Sequence, residues 1–343
     1  MILSGDIGGT NSRLAFFEDI EGSLVWKLQA KYPSGKYSNL TEIVAEFVDR
    51  YHLEVDYACF GIAGPVVNGR AQTTNLPWIV DAVDLAQVLN IEKAHLINDL
   101  EANTWGIEVL QPEDFSILNF GSSSASGNCA VISAGTGLGQ AGMYFDGVKH
   151  HPFACEGGHA DFAPRDEMQV DLLNYLLKRF EHVSWERLLS GPGLVNIYEF
   201  MRDSDRAAEP SWLQDAMKDD EPARVITEYG MSGTSLLCEK TLNLFCALYG
   251  SEAGNLALKT MALGGIYLGG GIAPKIHSRL KDGIFMREFI DKGRMRPLLE
   301  SVPVRIILNE NTALLGAAHY ASENSELKPR VREIIPTSPR QAV

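Results

Sequence analysis

Ile2-Leu3-Ser4-Gly5-Asp6-Ile7-Gly8-Gly9-Thr10-Asn11-Ser12-Arg13-Leu14-Ala15-Phe16-Phe17 is the stretch on which the reading of this chain turns. Residues 1–9 make a short apolar strand that runs into two adjacent glycines, and residues 12–17 are again β-rich, so strand follows strand across a glycine turn. Without Cβ atoms, a backbone here can approach an anion closely and aim successive N–H groups at it. Thr10 adds a hydroxyl donor. Asp6 is out of place beside a bare phosphate, but fits one accompanied by Mg²⁺, a hard cation that takes carboxylate oxygen, often through retained water. The rival reading is a tight hairpin with a solvated aspartate; the spacing favours phosphate.

Outward from this turn, residues 24–30 offer a third strand. Leu40, Ile43, Val44, Phe47, Val48 and Tyr51 then recur at helical steps, with Asn39 and Glu42 as an N-cap pair. Residues 55–63 and 95–97 read as strands, and 80–89 and 100–109 as helices, giving the order βββαβαβα. The second half begins alike: strand 129–134, the turn Gly135-Thr136-Gly137, strand 140–145, and a hairpin signal at Asp146-Gly147. Helices follow at 168–180, 186–189, 194–201 and 236–261, with Ser190-Gly191-Pro192-Gly193 separating two of them. Residues 203–222 read as an acidic surface excursion, 265–268 and 304–308 as strands, 312–321 as a last helix, and 322–343 as a polar tail with a disordered end. Each half thus opens strand, glycine turn, strand, which predicts a duplicated α/β fold with a cleft between its halves.

Gly137, Gly139 and Gly142 satisfy G-x-G-x-x-G, but a dinucleotide fingerprint needs a helix to open inside the motif, and strand follows here. A P-loop is excluded too: Gly35-Lys36 is followed by Tyr37 and lacks the earlier glycine. Gly269-Gly270-Gly271 is a third glycine turn, either a close packing contact or a flat ledge for a planar base. Asn98-Asp99 ends a strand just before a helix, where α/β proteins gather their chemistry. Asp99 either accepts a hydroxyl proton or caps that helix, and from sequence alone capping is favoured. Glu156 and His159 flank two glycines and suit a polyhydroxylated ligand; no cysteine cluster lies nearby to make His159 a zinc ligand. Glu186 at a helix start reads equally as dipole compensation, and Asn75 as part of a turn.

Taken in order, residues 5–14 (GDIGGTNSRL), 96–99 (LIND), 134–139 (AGTGLG), 156–164 (EGGHADFAP), 190–196 (SGPGLVN) and 265–274 (GGIYLGGGIAP) resemble the bacterial glucokinase family. The resemblance runs from about residue 3 to 320. It implies the two-domain actin-like (ribonuclease H-like) ATPase fold, with the active site in the interdomain cleft. The implied division is a small α/β domain of residues 1–109 plus 309–325, a large one of 110–308, and a tail of 326–343. The implied activity is phosphorylation of D-glucose at O6 by ATP and Mg²⁺, the entry step of glycolysis. By the resemblance, Asp99 is the general base, and Asn75, Asn98, Asp99, Glu156, His159 and Glu186 bind glucose. Gly5, Asp6, Ile7, Gly8, Gly9 and Thr10 form the first phosphate loop, with Asp6 near Mg²⁺ through water. Gly135, Thr136 and Gly137 form the second, and Gly269, Gly270 and Gly271 the adenine ledge. Ser133 and Leu100 depart from the family pattern, where Gly and Phe are common. The family also implies a homodimer. The alternatives are a kinase for a related hexose such as mannose or glucosamine, or a sugar-responsive regulator on the same fold.

Composition narrows these readings. At about 150 residues per domain, 343 residues predict two domains. With 30 Lys and Arg against 44 Asp and Glu, the formal charge of −14 argues against nucleic acid or an anionic membrane as partner. The first strand begins at Ile2, ahead of which no helix-turn-helix fits. The cysteines Cys59, Cys129, Cys155, Cys238 and Cys246 are scattered without a CxxC pair, and the N-terminus shows no signal peptide, so the expected compartment is the cytoplasm.

Overall fold

The computed structural model describes residues 1–20, 22–73 and 76–324. Ile2–Ile7 pairs antiparallel with Asn11–Ile20, which sets Asp6 opposite Arg13. Ser23–Pro33 extends this pair on one side, while Tyr57–Ile62 and Ala94–Asn98 join in parallel on the other, completing a five-stranded sheet. The second sheet repeats the plan. Cys129–Ala134 pairs antiparallel with Leu138–Phe145, and Gly265–Gly269 and Val304–Ile307 join in parallel. His150–Cys155 and Phe115–Asn119 close its two edges, six strands in all. The turn Gly135-Thr136-Gly137 therefore leads into a strand, as the rejection of the dinucleotide fingerprint requires.

Neighbouring residues on a strand face opposite sides, and the first sheet buries both. Leu3 and Phe16 pack with Ile43, Val44 and Phe47 of helix Leu40–Tyr51. Ile2 and Phe17 pack on the other side with Leu314, Ala317 and Ala318 of helix Thr312–Glu323. The expected return of the last helix to the first half is thus observed. The second sheet lays one face on the long helix Leu236–Thr260 and its neighbours. Its other face, through Val131 and Met143, meets Ile107 and Leu110. Helix Asp99–Ile107 joins both assemblies: Ala102 belongs to the core of the first sheet and Ile107 to that of the second.

Several boundaries differ from expectation, each for a local reason. The helix expected at 80–89 begins at Ala82; residues 80 and 81 belong instead to strand Ile79–Asp81, in a three-stranded sheet with Val66–Val67 and Arg70–Gln72, and strands of two or three residues carry no periodic signal. Ser190-Gly191-Pro192-Gly193 does not separate helices. Ser190 Oγ accepts from the Gly193 N–H at 3.0 Å, and Pro192 fits the first turn of helix Gly191–Asp203. The acidic excursion contains helix Ser211–Asp219, anchored by the buried Leu213. Glu186 lies in the short 3₁₀ turn Trp185–Arg187 rather than in a helix. Pro222–Met231, His277–Lys281, Ile284–Ile290 and Arg296–Glu300 are helices the periodicity did not reveal. The expected tail lies outside the described residues beyond 324, and the last helix runs through Glu323.

The last helix and helix Asp99–Ile107 approach at backbone distance. A Cβ on Gly316 would stand 1.8 Å from the Ala102 carbonyl oxygen and 2.4 Å from the Gly106 nitrogen. Gly316→Ala gains about 1 kcal/mol of helix propensity but overpacks two backbones. We therefore expect a net loss of about 1–3 kcal/mol in urea denaturation. An unchanged midpoint would show that the two helices can part without cost.

Candidate active site

The first glycine turn is braced from beneath. Ser34, fully buried, donates its hydroxyl to the Gly8 carbonyl at 2.8 Å, and its N–H bonds the Thr10 carbonyl at 3.0 Å. Its partner Ser12 lies 3.0 Å away, oxygen to oxygen. Asp6 leaves the end of the first strand beside this turn, and Arg13 grips its Oδ2 through Nε at 3.0 Å and through Nη2. The same guanidinium reaches the Glu310 carbonyl at 2.9 Å, tying the turn to the entry of the last helix. Both Arg13 bonds fall on Oδ2, so Asp6 Oδ1 remains for a second partner. Among the described residues no group of three or more His, Cys, Asp or Glu side chains forms a metal cage. One carboxylate oxygen beside a phosphate turn is nevertheless a fit for Mg²⁺, which usually takes one or two carboxylates plus phosphates and water.

Asp99 opens helix Asp99–Ile107, but Asn98 is its cap: Asn98 Oδ1 accepts from the Leu100 N–H at 2.9 Å. The capping role favoured for Asp99 therefore falls to its neighbour, although Asp99 Oδ1 shares that N–H at 3.0 Å. Asn98 also donates Nδ2 to the Gly64 carbonyl at 3.1 Å, which fixes it between the strand end and the adjoining loop. The Asp99 carboxyl is raised from 3.8 to about 6, first by burial and then by the charge of Asp6. The Leu100 N–H opposes the rise, and the charge of Glu156 adds to it. Asp6 and Glu156 thus both repel the Asp99 carboxylate, one from each sheet's end.

Three consecutive residues opening the strand Leu138–Phe145 gather the rest. The Leu138 N–H donates to Glu186 Oε2 at 2.9 Å, and that oxygen lies 2.5 Å from where a Gly137 Cβ would be. Leu100, the residue after Asp99, fills the space of a Gly139 side chain, its Cδ2 2.5 Å from that Cβ position. Gln140 lies against Gly157 in the turn Gly157–His159. Within this group His159 Nδ1 is 3.7 Å from Glu156 Oε2, and Nε2 is 3.9 Å from Glu186 Oε1. Glu156 and His159 are exposed, 71% and 63% in their side chains, and Glu186 is half-buried.

Gly270 adopts φ +79°, and a Cβ there would stand 2.2 Å from the Ala134 carbonyl oxygen; only glycine suits this position. That contact seats Gly269–Gly271 beside the second glycine turn, where a Gly135 Cβ would be 3.9 Å from the Gly271 nitrogen. A Cβ on Gly271 would meet nothing within 4 Å, so the backbone there borders open space. Ser133 lies beneath, its Oγ 3.3 Å from the Gly269 Cβ position. Asn75 lies outside the described residues; Thr73 before it is held by the Leu76 carbonyl at 2.8 Å.

Arg13 and Ser34 were missed by sequence reasoning. Counting residues evenly around the Gly9-Thr10 turn places Arg13 opposite Asp6, so Arg13 was within reach of a register argument. Ser34 had no such signal.

A family model described as Glucokinase matches residues 3–324. The chain belongs to the glucokinase family. The glucokinase of Trichormus variabilis is 43% identical over 338 residues, covering 94% of this chain and 99% of that one. The crystal structure of a glucokinase from an Antarctic psychrotroph is 31% identical and superposes with a TM-score of 0.82, covering 94% and 98% of the two chains. A ROK family glucokinase from Streptomyces griseus, crystallised with glucose and AMPPNP, is 20% identical with a TM-score of 0.64 over 94% and 99%, a likeness of fold. The glucokinase architecture here is thus the mixed α/β, actin-like ATPase fold.

Asp99 makes a pH prediction. Its folded-state carboxyl titrates above the unfolded one, so its burial is harmless at low pH and costs stability as the pH rises through about 6. Asp99→Asn should therefore stabilise the protein by about 1–3 kcal/mol near pH 8 and not near pH 4. Urea titrations at both pH values test this. An equal gap at both would mean the carboxylate is not desolvated.

Proposed function

We propose that this chain transfers the γ-phosphoryl group of ATP to O6 of D-glucose, releasing ADP and glucose 6-phosphate. The observation that carries the reading is Asp99, a half-buried carboxylate whose pKa is raised to about 6, with the sugar-type cluster Glu156, His159 and Glu186 on one side and the Asp6 phosphate turn on the other. A base works best with a pKa near the working pH, and Asp99 is ionised yet poorly solvated at neutrality.

Glu156, His159 and Glu186 supply acceptors, and His159 a donor, for the sugar hydroxyls, with Asn98 and Asn75 assigned beside them. Asp99 takes the proton from the 6-hydroxyl. O6 then bonds to the γ-phosphorus as the bond to the β–γ bridging oxygen breaks and ADP departs. Phosphoryl transfer asks a protein mainly for position and charge stabilisation. Here the N–H groups of the turns Gly8-Gly9-Thr10 and Gly135-Thr136-Gly137 are assigned to the phosphates, and the Gly269–Gly271 loop to the adenine. Mg²⁺, when bound beside Asp6 Oδ1, supplies charge neutralisation on the phosphates. Arg13 keeps Asp6 aimed and stops it from adding its full charge to Asp99.

The same reading takes residues 1–109 with 309–325 as one lobe and 110–308 as the other, closing over the cleft to exclude water. A cytoplasmic homodimer belongs to it. All five cysteines are free thiols, which supports a reducing compartment, and no helix among the described residues is long and apolar enough to cross a membrane.

Asp99→Asn should lower kcat by about 10²–10⁴-fold, the usual contribution of a positioned base, while glucose still binds. A coupled assay for glucose 6-phosphate with calorimetric glucose titration measures both. Turnover close to wild type would remove Asp99 from the mechanism. Ranking kcat/KM for glucose, mannose and glucosamine decides among the hexoses.

A further inference from the structure

Behind the exposed sugar cluster lies a polar pair that the proposed chemistry does not use. Gln140 is 2% exposed and stands opposite Cys155, the residue before Glu156, in antiparallel register. Its Nε2 donates to Glu252 Oε1 at 2.9 Å. Glu252, on the long helix Leu236–Thr260, is fully buried; Asn255 Nδ2 donates to its Oε2 at 2.9 Å, and Lys259 Nζ is 3.6 Å from Oε1. On the other side of the amide, Gln140 Oε1 lies 2.2 Å from where a Gly157 Cβ would be, so the amide rests directly on the backbone of the turn.

Stability alone gives no reason for this arrangement. A buried carboxylate and amide cost desolvation, and an apolar pair of the same volume would fill the space as well. What the polar pair adds is direction. A carboxylate only accepts hydrogen bonds, so the NH₂ end of Gln140 must face Glu252 and its oxygen must face the turn. The orientation of the amide, and with it the seat of Gly157, is fixed from a helix remote from the ligand.

We propose that Gln140, oriented by Glu252, is a positioning residue that sets where Glu156 and His159 stand. This rests on the sugar-binding role proposed for those two residues. Neither Gln140 nor Glu252 touches the ligand. The pair governs the geometry of the sugar turn and leaves the two phosphate turns alone.

The test is a split between substrates. Gln140→Met keeps the volume and removes the direction; we expect KM for glucose to rise about tenfold, the equivalent of one lost hydrogen bond, with KM for ATP within about twofold. Gln140→Glu places two carboxylates face to face and should raise glucose KM further. Adding Glu252→Gln to it reverses the polarity of the pair and should bring glucose KM back to within about threefold of wild type. A merely structural role would shift both KM values together, or only the thermal midpoint. Either result, or an unchanged glucose KM in Gln140→Met, overturns the proposal. If Gln140→Met does not fold, the double exchange decides alone: a glucose KM as poor as that of Gln140→Glu overturns it. Wild-type protein that fails to phosphorylate glucose would instead overturn the functional reading.

Discussion

Leu100 occupies the space that a side chain on residue 139 would need, and this contact fastens the first turn of helix Asp99–Ile107 to the strand Leu138–Phe145. The consequence is geometric. Asp99 belongs to the first sheet by connectivity, whereas Glu186, Glu156 and His159 are carried by the second. Only a close approach between the helix start and the strand start brings them within electrostatic range. The same strand start hydrogen-bonds Glu186 and backs the sugar turn, so one backbone segment is the common floor of the site. Leu100 reaches the floor because position 139 offers no Cβ to meet it.

The approach has an electrostatic cost. Drawing Asp99 out of water near Asp6 and Glu156 is unfavourable for its charge, and a mutation that removed the charge would relieve the strain at neutral pH. Arg13 limits the penalty. It holds Asp6 from the opposite strand and reaches the Glu310 carbonyl at the entry of the last helix, so part of the Asp6 charge felt by Asp99 is offset. Under the proposed role of Asp99 as base, function and stability would pull in opposite directions at this carboxylate, as is common where a base is desolvated.

Much of this was legible in the sequence, and the limits have physical causes. The opening hairpin, the helix Leu40–Tyr51 with its Asn39 cap, and the repetition of strand, glycine turn, strand were readable because period and turn chemistry are local properties. The three-stranded sheet spanning residues 66–81 was not, since its strands are too short for any period. Ser190-Gly191-Pro192-Gly193 looked like a break because Gly and Pro punctuate loops, yet the serine hydroxyl turns the same residues into a helix start. Among site residues, Asp99, Glu156, His159 and Glu186 could be nominated from their types and surroundings. That Asn98 rather than Asp99 is the N-cap needed the position of Asn98 Oδ1. Gln140 and Glu252 are 112 residues apart, and no local rule joins them.

The last helix also has a bearing on how the chain is made. Ile2, Phe17 and Ile97 emerge early in synthesis, yet among the side chains that cover them Leu314 and Ala317 are made far later. Until the last helix arrives, this face of the opening sheet has only helix Asp99–Ile107, through Ala102, to lie against. Completion of the first half therefore waits on helix Thr312–Glu323, a long-range contact that closes what the earliest strands began. A nascent chain that stalls short of residue 312 presents a sticky apolar surface, which makes it a natural client for chaperones and an easy target for proteolysis.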